Sequence, residues 1–240
     1  MTSAAIIIGA GDATGGAIAT RFAKGGYTAV CTRRTEQAVQ PLINEITAAG
    51  DSAVGYGCDA RSEEEMIALF DRVEAEIGPV EVVVFNIGAN VNFTITETTA
   101  RVYRKVWEMA AFAGFLAGRE AARVMLPRNS GTIIFTGATA SIRGGAGFSA
   151  FSGAKFALRA LSQSMARELG PKGIHVAHSI IDGAIDTAFI RDNFPERYAL
   201  RDQDGILDPD AIADAYWMLH QQPRSAWTQE LDLRPWMEKF

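Results

Sequence analysis

Two short stretches hold residues whose type and spacing could do chemistry on a phosphate. The first is Gly9-Ala10-Gly11-Asp12-Ala13-Thr14-Gly15-Gly16, which follows an apolar run at 4–8 and opens a segment with apolar residues at helical spacing. Glycines there permit a tight turn and let the main chain approach a pyrophosphate, whose charge a helix N-terminus favours. The same glycines would also serve a plain turn. The second is Cys31-Thr32-Arg33-Arg34-Thr35, which ends the next apolar run with no acid before Glu36. A carboxylate at that point accepts from a ribose 2′-hydroxyl, whereas an arginine pairs with a 2′-phosphate. Asp12, in the glycine turn, pulls the other way.

The elements that must position these groups alternate along the chain. Strand-like runs fall at 4–8, 27–31, 52–57, 82–85, 132–136 and 174–181, with a short edge strand at 230–233. Helical spacing falls between them at 14–24, 35–49, 63–77, 99–126, 151–169 and 209–220. Strands without polar alternation, separated by helices, are buried on both faces. The pattern predicts a single α/β domain over 1–240: a Rossmann-type, doubly wound parallel sheet of about seven strands with helices on both faces. The irregular stretch 186–207 is the one long insertion, expected to be a lid over a substrate site.

Composition narrows the function. The chain has 240 residues, 48% hydrophobic and 21% charged, with a net charge of -5, so it can bury a large core and is not a disordered chain. The acidic balance and the lack of a basic stripe argue against nucleic acid as a partner. The start of Arg101, Tyr103, Arg104 and Lys105 reads as a solvated helix face. The apolar runs are too short or too interrupted for a signal or a membrane span, so no membrane partner and a cytoplasmic location are expected. Cys31 and Cys58 read as buried thiols, and His175 and His178, on opposite faces of one strand, predict no metal site.

Four partial motifs, in order and each at a strand's carboxyl end, resemble the short-chain dehydrogenase/reductase family over nearly the whole chain. Gly9, Ala13 and Gly15 match its Gly-x-x-x-Gly-x-Gly turn, with alanine at the middle glycine. Asp59 matches its adenine-side Asp, and Asn86 and Gly88 match its Asn-Asn-Ala-Gly segment. Gly183 and Thr187, in Asp182-Gly183-Ala184-Ile185-Asp186-Thr187, match its Pro-Gly-x-x-x-Thr segment. The resemblance implies a nicotinamide dinucleotide held by Gly9, Gly11, Asp12, Ala13, Thr14, Gly15, Arg33, Arg34, Asp59, Asn86, Gly88, Lys155, Gly183, Ile185 and Thr187. Arg33 and Arg34 favour NADP over NAD. The resemblance also implies a homo-tetramer or homo-dimer built on the helices at 99–126 and 151–169.

The family's acid/base is a Tyr with a Lys four residues on, supported by a Ser and an Asn. Here Tyr-x-x-x-Lys is Phe151-Ser152-Gly153-Ala154-Lys155, the Ser position is Ala138, and the Asn position is Ala110. Of the four groups only Lys155 remains. Hydride transfer to a carbonyl still requires a proton. Three readings follow. In the first, the chain is an oxidoreductase on a carbonyl/alcohol pair whose proton comes from Ser141, Thr139, Asp182, Lys155 or water. In the second, it binds the cofactor without turnover, as a sensor or silent subunit. In the third, the scaffold does non-redox chemistry such as a lyase or dehalogenase reaction. Ser141, Thr139 and Asp182 each have a plain alternative in local backbone bonding or helix capping. Phe148, Phe151, Phe189, Ile190, Phe194 and Tyr198 predict an apolar or aromatic substrate.

Overall fold

Strands without polar alternation become a sheet buried on both sides. In the computed structural model, which describes residues 2–238, β1 (Ala4–Ile8), β2 (Thr28–Arg33), β3 (Ala53–Gly57), β4 (Val80–Phe85), β5 (Gly131–Thr136), β6 (Ile174–Ile181) and β7 (Glu230–Leu233) form one sheet. Their order is β3-β2-β1-β4-β5-β6-β7, and every neighbouring pair is parallel. The chain runs outward from β1 to β3, then crosses back to β4 on the other side. The carboxyl ends of β1 and β4 therefore flank the switch point, where ligands of such sheets sit.

Alternate residues of each strand feed two cores. Ile6, Ile8, Val83, Phe85, Ile133 and Phe135 pack with α3 (Glu63–Glu76), α5 (Ala113–Met125) and α6 (Ser149–Leu169). Ile7, Val82, Val84 and Ile134 pack with α1 (Thr14–Lys24), α2 (Gln40–Ala48) and α9 (Pro209–Gln221). Start signals are visible locally. Ser62 accepts from the Glu65 N–H at 3.2 Å, and Glu63, Glu64 and Glu65 sit where the positive end of the α3 dipole favours them.

Beyond shifts of one or two residues at the ends of several elements, three stretches differ from the sequence expectation. The helix expected at 35–49 is a 3-10 turn at Glu36–Ala38 followed by α2. Pro41 lies in the first turn of α2, where its missing N–H is tolerated, and it bars an α-helix from continuing back through it. The helix expected at 99–126 is α4 (Ala100–Trp107), a π turn at Glu108–Phe112, and α5. The 186–207 stretch holds α7 (Ala188–Asn193) and α8 (Pro195–Tyr198), and Ile185 pairs with Leu207 across its base.

Phe135 is fully buried at the sheet centre, its ring 6.3 Å from that of Phe85. We expect Phe135→Ala to cost about 3–5 kcal/mol of unfolding free energy in a urea titration, because the cavity it leaves is walled by strands that cannot collapse.

Candidate active site

The glycine turn is built from close approach. A Cβ on Gly15 would run into Gly9 O, and one on Gly9, whose φ is +90°, would meet Asn86 O at 2.9 Å. Only hydrogen fits at either place. Asn86 locks the arrangement: its Nδ2 donates to Gly9 O at 3.2 Å, and its main-chain N donates to Ile8 O at 2.8 Å. Asn86 thus ties the end of β4 to the turn. No side chain caps α1 at Ala13, so the first N–H groups of α1, from Thr14 on, have no side-chain acceptor. Gly88 is exposed beyond β4, and nothing stands within 4 Å of where its Cβ would be.

A cleft opens beside this turn, lined by Gly9, Thr32, Arg33, Arg34, Asp59 and Arg61 among others. Arg33 Nη1 donates to Asp12 Oδ1 at 3.2 Å and to Ala38 O at 3.3 Å. Asp12 is therefore a partner of Arg33, and the two charges that seemed opposed form one exposed pair. Arg34 is exposed on the cleft, pairs with no carboxylate among the described residues, and its charge acts on Asp59. Arg61 grips Asp59 with two donors, Nε at 2.9 Å and Nη2 at 2.5 Å. Those bonds hold the Asp59 carboxyl below the usual range against the opposing effect of its burial. Arg61 was not foreseen from the sequence; its signal was an arginine two residues beyond Asp59.

Lys155 reaches in from α6 and is buried. Its Nζ donates to Thr136 O at 2.8 Å and to Ile87 O at 3.1 Å, the carbonyls at the ends of β5 and β4. Burial pushes its ammonium down to about 8. Its Nζ also lies 5.9 Å from the centre of the Phe151 ring, at the outer limit of a cation–π contact. Phe151 itself belongs to a compact apolar cluster with Ala110, Ala140, Ala150 and Ala154, against which Ala138 packs. The residues at the family's Tyr, Ser and Asn positions are thus neighbours, and all three are apolar. The π turn surrounds Ala110.

The remaining polar groups lie at the carboxyl ends of β5 and β6. Ser141 is fully buried, and its Oγ accepts from the Ala138 N–H at 3.0 Å. It faces inward to the turn, so the expectation that it serves as proton donor in the cleft does not fit its position. Thr139 keeps partial exposure, and its Oγ1 donates to Asp182 Oδ1. Asp182, buried, also pairs through Oδ2 with Arg234 Nη1 at 3.3 Å. Arg234 comes from the segment after β7, which the sequence reading left without a role. Asp182 does not cap α7; Thr187 does, accepting from Ile190 N at 3.1 Å. Gly183, with φ +149°, leaves room for Pro235. Ile185 pairs with Leu207 at the base of the 186–207 stretch.

The expected aromatic pocket is not assembled as one unit. Phe189 and Phe194 meet edge to face at 5.9 Å, exposed on the 186–207 stretch, while Phe148 and Phe151 lie in the apolar cluster. His175 stacks on Trp227 at 4.9 Å and bonds Thr228 O, on the far face of the sheet from His178. Both cysteines are free and buried, and burial pushes each thiol up to about 12. No helix among the described residues is long and apolar enough to cross a membrane.

A family model described as short chain dehydrogenase matches residues 3–197. The chain belongs to this family. It is 31% identical over 183 residues to a 7alpha-hydroxysteroid dehydrogenase of Escherichia coli, covering 76% of this chain and 71% of that one. It is 29% identical over 221 residues to a (21S)-21-acetoxyl-apo-melianone synthase of Melia azedarach, covering 88% and 80%. A crystal structure of a short-chain dehydrogenase from Rhodopseudomonas palustris superposes with a TM-score of 0.84 at 51% identity, covering 98% of this chain and 99% of the other. This short-chain dehydrogenase chain therefore keeps the family's sheet and glycine turn.

The buried Lys155 gives a pH test. Its ammonium is held down to about 8 in the fold against 10.5 ordinarily, so the unfolded chain binds more protons between those values. The cost of burying the charge is full below that window and fades as pH rises through it. We expect wild type to gain on the order of 3 kcal/mol relative to Lys155→Met between pH 8 and 10.5 in urea unfolding. A constant difference across that range would contradict the burial of the charge.

Proposed function

We infer that the chain is an NADP(H)-preferring oxidoreductase acting on a carbonyl/alcohol pair, with Thr139 and Asp182 handling the proton. The observation that carries this reading is the Thr139–Asp182 bond at the carboxyl edge of the sheet, next to Ala138. The cleft residues fit the cofactor: a turn that no Cβ could enter, an uncapped helix start, and Arg34 exposed beside the Arg33–Asp12 pair. Crystal structures of a metagenomic short-chain oxidoreductase, at 24% identity, and of an actinorhodin polyketide ketoreductase, at 22%, hold NADP and NADPH. Gly9, Gly11, Ala13 and Gly15 would pass along the pyrophosphate, Arg33 and Arg34 would meet the 2′-phosphate, and Gly183, Ile185 and Thr187 would border the nicotinamide. Bound there, the cofactor supplies or accepts the hydride.

The protein's own groups then move the proton. In the oxidising direction the alcohol proton passes to Thr139 Oγ1 while the Thr139 proton moves to Asp182. In the reducing direction the same transfers run backwards. Arg234 steadies the Asp182 carboxylate between transfers. Lys155 keeps its place through two carbonyls and has one N–H left for a ribose hydroxyl. One relative is named for a hydroxysteroid, which supports an apolar substrate. Trp107, Phe115 and Phe156, exposed on α4, α5 and α6, support a homo-oligomer through those helices.

Cofactor binding without turnover is the second reading, favoured by the joint loss of hydroxyls at Phe151 and Ala138. Two experiments decide. In fluorescence titrations NADPH should bind more tightly than NADH, and Arg34→Ala should weaken NADPH by about 10–100-fold while sparing NADH. Equal affinities for the two would refute the arginine assignment. With a panel of apolar aldehydes, ketones and quinones, NADPH oxidation should fall by about 10²–10⁴ in Asp182→Asn with the NADPH Kd unchanged. No turnover in wild type, together with turnover created by Phe151→Tyr plus Ala138→Ser, would establish the second reading.

A further inference from the structure

His178 is a buried base that none of these steps uses. It lies on β6, on the face covered by α6, with no exposed surface. Its Nδ1 lies 3.2 Å from Glu230 Oε2 on β7. Glu230 is gripped by Arg159 of α6, through Nε at 2.6 Å and Nη2 at 2.7 Å. Burial lowers the ring's pKa to about 4; Glu230 opposes the shift, and Lys155 and Arg159 add to it. The imidazole is therefore neutral at neutral pH. Glu230 takes the N–H of Nδ1, which leaves Nε2 with a lone pair only.

That bare nitrogen is buried with no donor bonded to it. A buried acceptor left so is destabilising. One donor stands next to it. A methyl on Gly137 would strike His178 Nε2, His178 Cε1 and Ser141 Oγ together, so the two side chains share the space under that glycine. Ser141 Oγ spends a lone pair on the Ala138 N–H, and that bond leaves its own proton unused. Nε2 lies against the point where that methyl would sit, and Ser141 Oγ lies 2.9 Å from it.

We propose that His178 is the positioning residue of the site: its Nε2 accepts the Ser141 hydroxyl proton. The chain Arg159–Glu230–His178–Ser141 then anchors the turn 137–141 to the sheet and to α6. The proposal deepens the reading above and rests on it, since this turn carries Ala138 and holds Thr139 against Asp182. It also gives Ser141 a role suited to a fully buried hydroxyl. Gly137 is glycine because any side chain would part the pair.

The test is nitrogen NMR of the full chain with 15N-labelled histidine at neutral pH. The chain has three histidines, so His178→Gln assigns the resonances. The expected result is a neutral ring with Nδ1 protonated and an Nε2 resonance displaced by hydrogen bonding. Ser141→Ala should return that resonance to the position of a free imine nitrogen, and Ser141→Thr should restore the displacement. A charged ring, an Nε2–H tautomer, or an Nε2 resonance indifferent to Ser141→Ala would overturn the proposal. Should Ser141→Ala fail to fold, wild type still decides through the tautomer and a nuclear Overhauser contact between the Ser141 hydroxyl and the ring. NADPH titration of the same samples keeps the two ideas apart. Wild type that shows the Ser141–His178 signature but binds no NADPH sinks the cofactor reading alone.

Discussion

An ammonium group buried without a carboxylate bonded to it must satisfy itself on carbonyl oxygens, and the ends of parallel strands are where these are free. Lys155 takes two of them, Thr136 O from β5 and Ile87 O just beyond β4. That requirement fixes how α6 lies across the sheet, because a shift of one turn would strand the charge in apolar surroundings. It also fixes what flanks Lys155. Phe151, one turn earlier on α6, is carried into the apolar cluster, and Arg159, one turn later, meets Glu230 at the sheet edge. The cleft, the turn at 137–141 and the edge strand β7 all take their places from this helix.

The loss of three polar groups makes physical sense as a set. A phenol, a hydroxyl and an amide in one buried neighbourhood satisfy each other; removing one leaves the others costly, and removing all can be nearly neutral. Phe151, Ala138 and Ala110 belong to one apolar cluster, in which all three positions are apolar together. The backbone kept what the side chains lost. The π turn still opens the long helix at Ala110, as such turns do at functional sites. Polar side chains instead meet along the sheet edge at Thr139, Asp182 and Arg234, where the segment after β7 packs against the end of β6. The same segment ties down the 186–207 stretch, through Arg197 on Glu238 at 2.8 Å and Trp236 Nε1 on Gln203 O at 3.0 Å.

The cofactor end of the site was legible because its signals are local. Glycines at a strand–helix junction, arginines at the next strand end and Asn86 after the fourth lie within a few residues of the element that positions them. Even there, roles shifted on folding. Asn86 braces the turn, Asp12 neutralises Arg33, and Arg61 occupies Asp59. Boundaries moved where one residue overruled a periodic pattern, as Pro41 did for α2. The contacts at the carboxyl ends of β5, β6 and β7 were less legible because their partners are far apart in the chain. Thr139 and Asp182 are 43 residues apart, and Arg159 and Glu230 are 71 apart.

The amino-acid sequence by itself determined the alternation of strands and helices, the glycine turn, the family, and the absence of a tyrosine hydroxyl at Phe151. Each of these is a property of neighbouring residues, written in spacing and side-chain type. Tertiary structure alone decided that Ser141 turns inward, that Thr139 meets Asp182, that Arg234 supports it, and that His178 lies beneath Gly137. The reason is geometric. Parallel strands are joined only by long crossovers, so side chains that meet at their carboxyl ends are always distant in sequence. Which of them meet depends on register and on helix docking, and here the buried charge of Lys155 sets both.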